Sequence, residues 1–390
     1  MRIALFFFIY VGANGLITPY LPPYLKSIGF SAQESSHILS ISNLLMIFAP
    51  PLWGWLADRL GRPGLVLKIT CIGATLAFFF LLNVNTFAAL AAIMFVYAIF
   101  WTAIGGLADT IAVAEARKLS TDYARLRVWG SIGFIVTVYL FSEFLSHGGE
   151  KKDVIPFYFY MMLAYSLLSI FALPVQAPTT KPPSVSEAFR LAADPALLMF
   201  LLAIMLHQMA MQPYYNHFAI HVEDQKIDPR WIGASYSFGV ITEIAVMWWF
   251  RHFIRRVPIL PMICGIFVIT ALRWYLTSIA TSGIAFAMIQ MLHGLSFGAV
   301  FIGSILHLEQ TVPEHLRATG RMLFTSTVNG CGGILGNWIA GMAYDRGKGS
   351  GTFQTSACIE LLAPVFLLVA MQLLKRRKET PVSVAQTEVA

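Results

Sequence analysis

The sequence predicts an all-α membrane protein: twelve transmembrane helices in two pseudo-symmetric six-helix halves. Three observations predict it. Only 12% of the 390 residues are charged and 57% are hydrophobic, against roughly 25% charged in an average soluble domain. The apolar residues gather in runs of roughly 20, the length that crosses about 30 Å of hydrocarbon. Each run is continuously apolar, whereas barrel strands would alternate over about 10 residues.

The spans are expected at 3–24, 36–57, 64–84, 87–114, 127–146, 156–174, 196–220, 231–250, 258–280, 283–308, 320–343 and 353–374. The first follows Met1-Arg2, like the start of a signal peptide. It is interrupted by Asn14 and has no small-residue cleavage pattern, so a retained helix is expected. The second and third are joined by G-W-L-A-D-R-L-G-R-P at 54–63, a short, basic, glycine-bearing turn. The fourth and fifth meet around Lys118, and the fifth opens at Arg125-Leu126-Arg127 before Gly130 and Gly133. Residues 175–195, rich in Pro, Ser and Thr, form the one long linker. In the seventh span Pro213 would kink or locally unwind the helix. The eighth and ninth turn near Pro258, and the ninth and tenth near Ser282. The eleventh opens at Gly320-Arg321 and continues through Gly330, Gly332, Gly333 and Gly336, a weak repeat of the fifth; small residues let helices approach closely. The expected units are therefore 1–174, the linker 175–195, a second half at 196–374 and a tail at 375–390.

Lys and Arg set the orientation. With the N-terminus inside, inner segments hold 19 of them and outer segments 7, namely Lys26, Lys151, Lys152, Lys226, Arg230, Arg346 and Lys348. Both termini are expected in the cytoplasm, with the chain in the cell (inner) membrane. The net charge of +7 is dispersed between apolar spans, which suits lipid headgroups rather than nucleic acid. All four Cys (Cys71, Cys264, Cys331, Cys358) fall inside apolar runs without a C-x-x-C pair, so no metal or disulfide framework is suggested. Gly347-Lys348-Gly349 lacks the Ser or Thr of a phosphate-binding loop, so no ATP drive or ATPase subunit is implied. No nucleophile–base set suggests an enzyme.

Ionisable groups inside a bilayer are expensive and mark function by default. Glu243 and Arg273 both lie 15 residues from the turn at Pro258, about 22 Å up each helix. Arg273 and His293 lie 9 and 11 residues from the turn at Ser282. Three polar groups on successive spans thus reach one depth. Asp109 and Arg127 each lie nine residues from Lys118; a charge pair facing a watery cavity is tolerable where a lone charge is not. Salt bridges that only fix packing remain the alternative for both sets. In the seventh span Gln208, Gln212 and Tyr215 recur at helical spacing and are candidates to line a cavity, as are Asn14, Asn43 and Trp101. Glu143, Glu309 and Glu360 lie nearer span ends, where an interfacial role is expected.

The 54–63 stretch resembles the signature loop of the major facilitator superfamily, G-x-L-a-D-r-x-G-r-k, through Gly54, Leu56, Ala57, Asp58, Arg59, Gly61 and Arg62. The Glu, Arg and His of the eighth, ninth and tenth spans, with Asp109 and Arg127, are similar to groups of the lactose permease branch of proton symporters. The phenylpropionate permease-like group is more similar still, through P-Y-L-P-P-Y-L at 19–25, P-L-W-G-W-L-A-D-R-L-G-R at 51–62, R-L-R-V-W-G-S-I-G-F at 125–134 and L-H-G-L-S-F at 292–297. Two departures matter. Ser296 stands where lactose permease has a Glu, and Phe134 where it has a sugar-stacking Trp, which disfavours a galactoside.

The resemblance implies a monomeric secondary transporter that takes up a small organic solute, an aromatic acid, with a proton. A sugar or nucleoside symporter and a proton-driven drug exporter are the alternatives. Glu243, His293 and Asp109 would handle the proton, the only coupling species expected. Arg127, Arg273, Asp109, Asn14, Phe134, Gln208, Gln212 and Tyr215 would meet the solute. Gly54, Asp58, Arg59, Gly61 and Arg62 would form a cytoplasmic gate, with Asp58 capping a helix N-terminus or pairing with an Arg.

Overall fold

A computed structural model of the chain describes residues 2–121, 123–172, 185–254 and 256–379. All its regular structure is helical. The elements are α1 (Arg2–Ser27), α2 (Ala32–Leu60), α3 (Pro63–Phe79), α4 (Phe87–Lys118), α5 (Tyr123–Ser146) and α6 (Val154–Ala172). After the linker follow α7 (Val185–Ala192), α8 (Pro195–Asn216), α9 (Phe218–Asp224), α10 (Arg230–Ile254), α11 (Ile259–Ile279), α12 (Gly283–Gln290), α13 (Val300–Thr311), α14 (Arg317–Phe324), α15 (Gly333–Glu360) and α16 (Ala363–Glu379). Continuous helices satisfy their own peptide groups, as hydrocarbon requires. The linker expectation holds a helix, α7, while 175–184 and the tail beyond Glu379 lie outside the described residues.

Among the described residues, ten helices are long and apolar enough to cross a membrane. The difference from the twelve predicted has two sources. Arg230–Ile254, at 25 residues, is long enough but is not among the ten. Thr319–Arg376 counts as one span of 58 residues, yet Lys348 breaks it at φ 52°, ψ −158°. The contacts show the chain climbing α8 and returning: Gly332 packs at Met205 and Gly336 at Met209, Tyr344 lies against His217, Gly349 meets His221, and Glu360 is back at His207.

Local chemistry sets the ends. Ser31 and Glu34 form a capping box at the start of α2, with bonds of 2.9 and 3.1 Å. Asp194 accepts from the Ala196 and Leu197 amides at the start of α8. The predicted 54–63 loop is mostly helix. α2 continues to Leu60, Gly61 ends it at φ 59°, and Pro63 opens α3. Only Gly61 and Arg62 form the turn. Asp58 therefore sits exposed in the last turn of α2, and neither caps α3 nor joins an ion pair among the described residues. The seventh span does break after Pro213, at His217, where α8 gives way to α9.

The helices pack in two sets. In α1–α6, α1 lies on α5 and α6, and α4 lies on α2 and α3. In the second set, α15 lies on α8 and α11, α16 on α8, and α10 on α12 and the segment 294–299. The sets meet where α2 lies along α15 and α5 along α10. Glycines make both crossings close: a Cβ at Gly233 would sit 3.0 Å from the Val138 oxygen, and one at Gly341 3.0 Å from the Gln33 Cα. At the end of the bundle near these crossings, Lys26 pairs with Asp224 at 2.5 Å and Lys151 with Glu223 at 2.7 Å. Tyr344 completes the first pair by donating to Asp224 while its hydroxyl accepts from Lys26 at 3.2 Å. These contacts latch α1 and the 151–153 turn to α9 and α15.

Candidate functional site: charges between the two helix sets

The predicted partners meet. Glu243 on α10 faces His293 at 3.8 Å, with the Glu243 side chain 15% exposed. Arg127 in the second turn of α5 faces Asp109, nine residues before the end of α4, at 3.7 Å, the two side chains 40% and 45% exposed. Tyr123 donates to the same Asp109 oxygen at 2.8 Å. The Arg127 guanidinium lies 5.2 Å from the centre of the Phe7 ring and within electrostatic reach of Glu243 in the other helix set. Asp109 and Arg127 lie toward the end of the bundle that carries Lys118, opposite the latched end.

Why the eighth- and tenth-span residues come so close is written in backbone. Residues 294–299 form a π-helical turn between α12 and α13, a deformation frequent at functional sites. Gly294 at its start lies against the Thr242 and Glu243 backbone, and Gly298 lies 3.3 Å from the Glu243 Cγ as measured to an added Cβ. The His293 ring stacks on Phe297 at 5.4 Å and lies tilted against Tyr214 at 4.9 Å. A second π-helical turn at 325–332 brings Gly330 against Ile47 and precedes Gly333, which packs on Asn43. Neither turn was legible in the sequence beyond the glycines that permit it.

Arg273 stands apart from its expected place. It is 0% exposed, bonded through Nε and Nη2 to Gln290 Oε1 at 3.1 and 2.5 Å, and enclosed by the Trp274 and Tyr214 rings at 4.2 and 4.7 Å. It reaches the required depth but points into the second helix set, not the open space. Glu360 corrects a second expectation. Far from interfacial, it is 0% exposed and lies 2.7 Å from His207 Nδ1. Arg273 was visible as a depth match; Glu360, expected near a span end, lies 12 residues beyond the Lys348 turn, about 18 Å up its helix.

The remaining candidates spread along the seam. Phe134 lies 6.4 Å from Tyr236 across the two sets. Tyr215 is half-buried and its ring meets Tyr214 at 5.4 Å. Gln212 is buried against Gly336, and Gln208 packs on Gly332. Asn14 Oδ1 and Trp101 Nε1 are buried without a hydrogen-bond partner. Glu143 and Glu309 do lie at helix ends, paired with His147 at 3.8 Å and with Arg321. Two surface grooves, one of about 520 Å³ beside Pro258, His307 and Lys375 and one of about 500 Å³ beside Arg346 and Cys358, lie away from these charges.

Residues 1–355 match the model of the MFS_1 like family. The chain is 24% identical over 344 residues to the "Putative nucleoside transporter YegT" of Escherichia coli K12, covering 83% of this chain and 79% of that protein. It is 24% identical over 324 residues to the "Probable 3-phenylpropionic acid transporter" of the same organism, covering 78% and 81%. The crystal structure of the nucleoside transporter NupG superposes with a TM-score of 0.81 at 19% identity, over 96% of this chain and 98% of that one. That last likeness concerns the fold.

Proposed function

From the premise that this chain belongs to the MFS_1 like family and is a multi-pass membrane transporter, we propose that it carries a ring-bearing carboxylic acid together with a proton by alternating access. The observation behind this reading is Arg127, which faces Asp109 at 3.7 Å and is within electrostatic reach of Glu243 of the opposing helix set. With Glu243 ionised and His293 uncharged, Arg127 and Arg273 balance Asp109 and Glu243. Protonating Glu243 leaves one positive charge without a match, which a poorly hydrated cavity tolerates badly. A solute carboxylate beside Arg127 restores the balance. Proton and acid then strengthen each other's binding, as linkage requires. Phe134, Tyr215 and Tyr236 offer the ring an aromatic wall, in keeping with a relative named for phenylpropionate.

In this reading the protein lies in the cell membrane with both termini in the cytoplasm, as its Lys and Arg distribution favours. The latched end then faces outward, and the conformer is open to the cytoplasm. An uncharged ring-bearing solute is the second reading, favoured by the relative named for nucleosides. Purified protein in liposomes, given radiolabelled 3-phenylpropionate and an inward proton gradient, tests the first. Wild type should accumulate the acid against its gradient, and Glu243→Gln should exchange it without accumulation. Uphill accumulation by Glu243→Gln would remove Glu243 from the proton's path. Uridine outcompeting the acid would favour the second reading.

A further inference from the structure

His207 and Glu360 play no part in the scheme above, yet they make the most deeply buried polar contact among the described ion pairs. His207 Nε2 lies 2.8 Å from the Ser296 carbonyl oxygen. A carbonyl accepts only, so Nε2 must carry a hydrogen. Nδ1 then faces Glu360 Oε1 at 2.7 Å, a distance that requires a proton between them. Whether that proton sits on imidazole or carboxyl, the pair is neutral in sum and holds one proton. The other groups that act on it are Trp274 and Arg273 of α11, which act on Glu360, and His293, which senses His207.

Ser296 is the third residue of the π-helical turn, three positions after His293. Its hydroxyl donates to the Leu292 carbonyl at 3.1 Å and accepts from Thr270 at 3.0 Å. The turn is thus held from α8 through its backbone and from α11 through a side chain. We propose that His207 and Glu360 are positioning residues that, through the proton between them, fix the π-helical turn and so hold His293 against Glu243. The inference rests on Glu243 being the coupling carboxylate and adds what aligns it.

The test is the pH profile of acid-driven proton uptake in proteoliposomes, with melting temperature as the control for folding. Glu360→Ala and His207→Ala should each move the midpoint by about one unit, a tenfold change in proton affinity, because the turn that sets the surroundings of Glu243 is released. Glu360→Gln should restore the wild-type midpoint, since its amide N–H can donate to Nδ1 in place of the shared proton. Where His207→Ala yields no folded protein, His207→Gln takes its place with the same expected shift. An unmoved midpoint in folded His207 variants reduces the pair to packing and overturns the proposal. Loss of uphill transport in Glu360→Gln also overturns it, because the pair would then carry the coupled proton itself. Glu243→Gln run alongside separates the two claims: if that variant still accumulates the acid, the failure lies with the coupling carboxylate and not with its alignment.

Discussion

Gly294 touches Thr242: a Cβ on Gly294 would lie 2.5 Å from the Thr242 carbonyl carbon and 2.8 Å from the Glu243 nitrogen. Those neighbours are backbone and cannot swing aside. Gly294→Ala should therefore push the π-helical turn off α10, lowering stability by about 1–3 kcal/mol, as overpacking does, and parting His293 from Glu243. Gly298→Ala, whose Cβ would meet the flexible Glu243 Cγ at 3.3 Å, should cost less. Melting temperature and uphill uptake measured on both variants decide it; equal effects would disconnect the turn from the charge pair.

The latch at the closed end is made of partly exposed pairs, Lys26–Asp224 with side chains 42% and 31% exposed and Lys151–Glu223 with 39% and 14%. Such pairs are worth about 0.2–1 kcal/mol each. Lys26→Ala and Lys151→Ala should each enlarge the population open at this end by no more than a few-fold. Spin labels at positions 27 and 226 report the population directly. A shift of a hundredfold, or none in the double variant, would show that the latch is not what closes this end.

Acidity should tighten the same latch. Burial raises Glu223 above the ordinary carboxylate range, although its bond to Lys151 pulls it down. The latched form then holds a proton at Glu223 more firmly than a form in which Glu223 faces water. Lower pH favours latching, and the preference fades as pH rises through the raised value. The Lys151→Ala effect should accordingly be largest above that value. The spin-label distances, recorded from neutral to mildly acidic pH, check the sign.

Arg127 should not tolerate replacement by Lys. Its Nε faces Asp109 and its planar head lies over Phe7, a combination a point charge cannot reproduce. Arg127→Lys should weaken acid binding at least tenfold, about 1.4 kcal/mol, with little change in melting temperature. Equilibrium binding of radiolabelled acid to purified protein measures this; wild-type affinity would place the carboxylate elsewhere.

At the other end of the bundle, Gly61 lies at φ 59° with open space around its Cα. Gly61→Ala should cost about 1–2 kcal/mol through backbone strain alone. Asp58→Ala, altering an exposed side chain, should leave stability and affinity near wild type and slow transport. Initial rates against concentration separate the two quantities, and a large loss of affinity would bring the turn into the binding site.

Much of this site was legible from distance along the chain. Counting residues from a turn placed Glu243 with His293 and Asp109 with Arg127, because rise per residue is nearly constant in a helix. What counting cannot supply is direction around the axis. Arg273 has the right depth, and Gln290 holds it inward. Glu360 escaped because its distance was measured from a span end rather than from the Lys348 turn, which a run of helical residues conceals. The π-helical turns lie beyond sequence reasoning of this kind: they shift the register of everything after them by a fraction of a turn, and only the glycines that make room for them can be read.

The connection between α2 and α3 is two residues, Gly61 and Arg62, closed by the Gly61 amide on the Asp58 carbonyl at 3.1 Å. Such a joint has no slack. α2 lies along α15 of the opposing set, so any sliding at that seam reaches α3 undiminished, as motion passes through a rigid crank. Lengthening the joint by even a few flexible residues would let α2 move while α3 stayed behind, and the first helix set would lose the stiffness that lets it swing as one body.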